Sequence, residues 1–181
     1  VAAGAGHAAS LDFRTSLTRA EAIRTSSFYL IVVGFGFGTL SIGIMILQTI
    51  PYLVNAGYDG KFAAFMITLA SIPSMLSKPL WGWLGDRVDP ARSAIIGFVT
   101  NAVAMVTIVF AVRAHADVTV YVGFFLLGMG WGGLIPLQET VWASFFGRRY
   151  LGAVRSAGLP VSLLIGASAP FLISYYYDRT H

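Results

Sequence analysis

The chain contains no cysteine among its 181 residues. Disulfides and thiolate metal centres are therefore excluded, and the redox compartment cannot be read. Charge is almost as scarce. Asp, Glu, Lys and Arg make up 11% of the chain, against about 25% in soluble globular domains. With 56% hydrophobic residues and a mean hydropathy of +0.74, an ordinary soluble domain is excluded. Several membrane-spanning helices are expected instead. His7, His115 and His181 are too scattered for a metal site, so no metal is expected. No secretory signal is visible. The formal charge of +4 comes from short loops. It reads as topology, with no nucleic-acid partner.

What is present is a series of five apolar segments, which predicts an all-α, multi-span membrane helical bundle lying in a lipid bilayer. The helices are expected at residues 28–54, 62–84, 93–112, 118–146 and 154–177. Residues 1–27 read as a cytoplasmic linker. Its Ala/Gly-rich start, residues 1–10, is expected to be disordered. A short interfacial helix follows, opened by a capping box from Thr18 to Glu21. Residues 178–181 form an extracytoplasmic end. The start at Val1 and the linker-like opening suggest a fragment. Alternate segments carry Arg14, Arg19, Arg24, Arg87, Arg92, Arg148, Arg149 and Arg155 on one side, against Lys61, Arg113 and Arg179 on the other. That bias puts the basic loops in the cytoplasm of a multi-pass cell-membrane protein.

The chain is organised around residues 71–92, SIPSMLSKPLWGWLGDRVDPAR. Lys78 is the one Lys or Arg deep in an apolar segment. A cation there costs at least about 2.5–3.5 kcal/mol on insertion scales, so a partner or a ligand is expected to compensate it. It lies nine residues before Arg87, about 13 Å at 1.5 Å per residue, which is far for snorkelling. Pro73 and Pro79 each free a carbonyl, those of Leu69 and Met75. Such backbone is tolerated at membrane depth where protein or a water-filled cavity satisfies it. Ser71, Ser74, Lys78 and Trp81 are expected on one face and read as a cavity wall. Gln48 and Tyr52 lie on a face with Gly34, Gly38, Ser41 and Met45. This face either packs, through the Gly34-xxx-Gly38 spacing, or lines the cavity.

Glu139 is the second intramembrane charge, at a depth similar to Lys78, and an ion pair between them is geometrically possible. GMGWGG, residues 128–133, matches a dinucleotide fingerprint literally. Without a strand or βαβ unit it predicts close helix packing and no cofactor. The segment 93–112 reads as peripheral, with Asn101 joining helices.

The run Gly82-Trp-Leu-Gly-Asp86-Arg87-Val-Asp-Pro-Ala-Arg92 resembles the cytoplasmic loop signature of the major facilitator superfamily, with Asp89-Pro90-Ala91 in place of the usual glycine and basic residues. Gln48-Thr-Ile-Pro51-Tyr52-Leu with Gly57 resembles the end of the seventh helix in the monocarboxylate transporter and oxalate–formate antiporter group. Phe146-Gly-Arg148-Arg149-Tyr-Leu-Gly152-Ala-Val-Arg155 resembles that group's loop after the tenth helix. The resemblance implies that the five helices are the seventh to eleventh of twelve, part of one six-helix half, with an N-terminal half of the same protein as partner. It also implies that Lys78-Pro79 matches a basic residue that binds the substrate carboxylate, with lysine in place of the more usual arginine. Ser74 stands where some proton-coupled members have aspartate.

The expectation is therefore a secondary transporter of small organic anions, mono- or dicarboxylates, and not an enzyme. Lys78 anchors the anion, Ser74, Gln48 and Tyr52 line the path, and Glu139 supplies counter-charge or coupling. Gly82, Asp86, Arg87 and Arg92 form the cytoplasmic gate. The alternatives are a Mg-dependent membrane phosphotransferase built on Asp86 and Asp89, and a non-transporting membrane subunit.

Overall fold

The computed structural model describes residues 16–180, of which 87% are helical, with no strand among them. The expected disordered start, Arg14, His7 and His181 lie outside the described residues. The helices are α1 (Arg19–Ala22), α2 (Ser26–Asn55), α3 (Gly60–Leu76), α4 (Lys78–Arg87), α5 (Pro90–Arg113), α6 (Asp117–Phe146), α7 (Leu151–Ala167) and α8 (Ala169–Thr180). Four stretches are long and apolar enough to cross a membrane: α2, α5, α6 and the run Leu151–Tyr175 through α7 into α8. The pair α3 and α4, bent by 42°, makes a fifth span if taken together. The chain is thus a multi-span membrane helical bundle.

Local chemistry fixes where these helices begin. Thr18 donates its N–H and its hydroxyl to the Glu21 carboxylate, at 2.8 and 2.7 Å, so the capping-box expectation holds at α1. Thr25 caps α2 by accepting from Phe28 N–H at 3.3 Å. Asp59 caps α3 through Lys61 N–H, and Asp89 caps α5 through the N–H groups of Ala91 and Arg92. Each satisfies donors that a helix start leaves open. Gly57, at φ +92°, makes the turn after α2, a conformation without strain only for glycine.

Helix α6 is the hub, packing against α2, α3, α4, α5 and α7. Two apolar cores flank its midpoint. One gathers Phe28, Val32, Phe35, Leu137, Val141, Trp142, Phe146 and Val154. The other gathers Leu53, Met66, Ala104, Ile108, Val120, Phe124 and Leu127. The glycine run 128–133 lies between them. At the first end, Leu17 N–H bonds the Phe146 carbonyl at 3.0 Å and Arg149 N–H bonds Ser16 Oγ at 3.3 Å. At the other, Tyr58 stacks on Phe62 and His115, joining the α2–α3 and α5–α6 loops. Burial, with Asp117 nearby, pushes the Tyr58 phenol up.

Three sequence expectations are corrected. Of the Gly34-xxx-Gly38 pair only Gly38 packs closely, against Leu134 and Phe98, while Gly34 faces open space; α2 closes on α7 and α8 through Gly36 against Ile165 and Gly43 against Ala169. Helix α5 is peripheral on one side only: Ile95, Val99 and Phe110 are exposed, while Ser93, Gly97, Asn101, Ala104 and Ile108 are buried against the hub. Asn101 bonds its own helix, donating to Gly97 O at 3.2 Å, and packs against Gly130 of α6.

Candidate binding site at the broken helix

The span expected at 62–84 is continuous through Pro73, which is buried inside α3, and breaks at Ser77. Pro79 explains the position. It stands at the start of α4, where a missing N–H costs nothing, whereas in a helix interior its ring would strike the Met75 carbonyl. Ser77 itself keeps helical dihedrals, φ −81° and ψ −12°. Ser77 N–H still reaches Pro73 O at 2.9 Å, and Trp81 N–H reaches Ser77 O at 3.0 Å.

Helix α6 admits this break because it is stripped of side chains there. A Cβ on Gly128 would strike the Ala70 carbonyl, and one on Gly132 would strike Ser77 Oγ and the Ser74 carbonyl. A Cβ on Gly133 would lie 2.7 Å from the Trp81 ring. Into this space Ser77 Oγ donates to Met129 O at 3.1 Å, and Trp81 Nε1 donates to the same carbonyl at 2.7 Å. Trp81 is buried at 5% exposure. It therefore leaves the face expected for it beside Ser71, Ser74 and Lys78 and turns into the bundle.

Lys78 is the first residue of α4 and is exposed. Ser74 and Gln48 are half-buried, and Tyr52 is 38% exposed. Among the described residues no hydrogen bond or ion pair links these four side chains. Glu139 is paired with Arg155 of α7. Arg155 was counted with the basic loop although the expected helix began at residue 154; α7 begins at Leu151 and carries it a full turn inside the helix. The Glu139–Arg155 pair escaped the sequence reading for that reason.

At the loop after α4, Arg87 stacks over the Trp83 ring at 4.7 Å. Asp86 and Arg92 are exposed, and Gly82 is half-buried with room for a Cβ. Among the described residues Asp86 makes no ion pair with Arg87 or Arg92. Asp89 is engaged as the α5 cap, which removes it from the pair of acids that a phosphotransferase reading needs.

The structure thus brings together a hub helix thinned by glycines and a broken partner helix that carries an exposed lysine at the break. The chain belongs to the Major Facilitator Superfamily, whose profile matches residues 4–179, a family of membrane transporters. It is 26% identical over 158 residues to the "Probable inorganic phosphate transporter 1-10" of Oryza sativa subsp. japonica, covering 78% of this chain. The match spans 29% of that relative's length.

Proposed function

We propose that the chain is part of a secondary transporter that moves small anions by alternating access, with Lys78 as the anion anchor. The observation that carries the reading is Lys78 itself. It is an exposed cation at the first position of a half-helix, and no carboxylate pairs with it among the described residues. Helix N-termini favour anions, and an ammonium there adds a point charge. Ser74, Gln48 and Tyr52 line the path. Glu139 is a counter-charge to Arg155 instead of to Lys78. Gly82, Asp86, Arg87 and Arg92 form the gate on the cytoplasmic side of a cell membrane. On this reading the spans are the seventh to eleventh of twelve, and the first half of the same protein completes the path.

Small carboxylates are the first substrate class, from the resemblance to the monocarboxylate and oxalate–formate group. Inorganic phosphate is the second, favoured by the printed name of the rice relative. The test is binding of oxalate, lactate and inorganic phosphate to purified full-length wild type and Lys78→Gln. Loss of binding in Lys78→Gln is expected, with partial retention in Lys78→Arg. Equal affinity in wild type and Lys78→Gln would remove Lys78 from the site.

A further inference from the structure

Local contacts hold the break before Lys78 only weakly: Ser77 Oγ lies 3.5 Å from the Ser74 carbonyl, at the long limit for a hydrogen bond. Ser77 has helical dihedrals, so the backbone there does not select one bend over another. Pro79 prevents a straight helix and opens it on the side of its own ring, but with no N–H to donate it makes no bond that holds the bend at one angle. A bond from outside the span is needed to hold that bend at one angle.

The structure offers one such constraint. Ser77 lies one residue before Lys78 and Trp81 three residues after it, so the two bracket the cation along the chain. Both donate to the Met129 carbonyl of α6, and both are 5% exposed. An indole N–H at that burial costs free energy if it loses its acceptor. The acceptor is reachable because Gly128, Gly132 and Gly133 bring the backbone of α6 close. With Ser77 anchored to that oxygen at the pivot, rotating α4 about Ser77 would pull Trp81 away from it.

We propose that Ser77 and Trp81 are positioning residues for Lys78. Their shared acceptor on α6 holds the break at one angle and so keeps the Lys78 ammonium turned away from the hub. This deepens the anion-transport reading and rests on it for the role of Lys78. The geometric part, the clamp itself, stands independently.

The experiment uses the full-length protein in lipid nanodiscs. Spin labels at Phe65 of α3 and Trp83 of α4, both about half exposed, report the break as a distance distribution. Trp81→Phe keeps an aromatic ring against Gly133 and removes the N–H, and Ser77→Ala removes the hydroxyl. A single narrow peak is expected for the unsubstituted clamp, broadened in each single variant and split or shifted in the double one. Affinity for oxalate or inorganic phosphate, whichever the wild type binds, is expected to fall about tenfold in the double variant while thermal unfolding moves by only a few degrees. Should the double variant fail to fold, the Trp81→Phe distribution decides alone. An unchanged distribution overturns the clamp. A broadened distribution with unchanged affinity overturns the positioning role. A wild type that binds neither anion sinks the transport reading, and the positioning role with it, while the distances still judge the clamp.

Discussion

Glu139 of α6 and Arg155 of α7 form an ion pair. The pair ties the hub helix to the helix after it near the end where Ser16 and Leu17 dock. Both side chains are about two-fifths exposed, so solvent or headgroups moderate the attraction. The Lys78–Glu139 pair, geometrically possible from their similar depth, is not present among the described residues.

This assignment makes Glu139→Gln diagnostic. A double-mutant cycle of Glu139→Gln with Arg155→Gln, read from unfolding in one detergent, is expected to give a coupling of about 0.5–1 kcal/mol. Anion affinity in Glu139→Gln should stay within about twofold of wild type. Tighter anion binding in that variant would mean that Glu139 competes for Lys78 after all.

The glycines of α6 should not tolerate a methyl group, and one on α2 should. Gly128→Ala and Gly132→Ala drive a Cβ into backbone carbonyls of α3, and overpacking of this kind costs about 1–3 kcal/mol or more. Gly34→Ala meets open space and is expected to be neutral or to stabilise by up to about 1 kcal/mol through helix propensity. Thermal unfolding of the three variants side by side checks the ranking. Similar losses in all three would show that the close approach of α3 and α6 is wrongly placed.

Element existence was legible because apolar runs of spanning length carry their own signal. The glycine run of α6 was legible as a packing surface for the same reason. What was lost is long-range. Pro73 and Pro79 look alike in sequence, yet only the second coincides with a break, where α6 supplies an acceptor for Ser77 and Trp81. In α2 the small residues Gly36, Gly38 and Gly43 pack against different helices, and Gly34 packs against none. Gly36 and Gly43, seven apart, were the pair at helical spacing that could have been weighed. Arg155 was counted with the basic loop at the edge of the expected helix, and a side chain 16 positions from Glu139 has no local signature of pairing. Lys78 was conspicuous as a lone deep cation, and the structure leaves it exposed at a helix start.

Acid should loosen the segment before α2. The Glu21 carboxyl is held below its ordinary 4.5, first by the Thr18 N–H and then by the Thr18 hydroxyl. A lowered folded-state value means the cap's contribution is complete above about 4.5 and is lost as pH falls through the lower folded value. Hydrogen exchange of the amides of residues 18–25 is expected to quicken, relative to intrinsic rates, over that acid window. Glu21→Gln should flatten the dependence. A wild-type profile as flat as that of the variant would remove the capping box as its cause.

Asp86 is exposed without an ion pair among the described residues, although Arg87 adjoins it in sequence and Arg92 follows the next turn. Arg87 is held over Trp83, and the start of α5 is already capped by Asp89. A carboxylate left out of its local network contributes little to this conformation. On the proposed transport reading, its role as a gate charge falls in another state of the cycle, where rocking elements bring it a new partner. Asp86→Asn is therefore expected to fold normally, with an unfolding temperature within a degree or two of wild type, and to bind anion with nearly unchanged affinity. On that reading, turnover in proteoliposomes should slow by about tenfold or more, because the state assigned to Asp86 would be lost from the cycle. Normal turnover would take Asp86 out of the gate. A large loss of affinity with normal exchange would place it in the anion path instead.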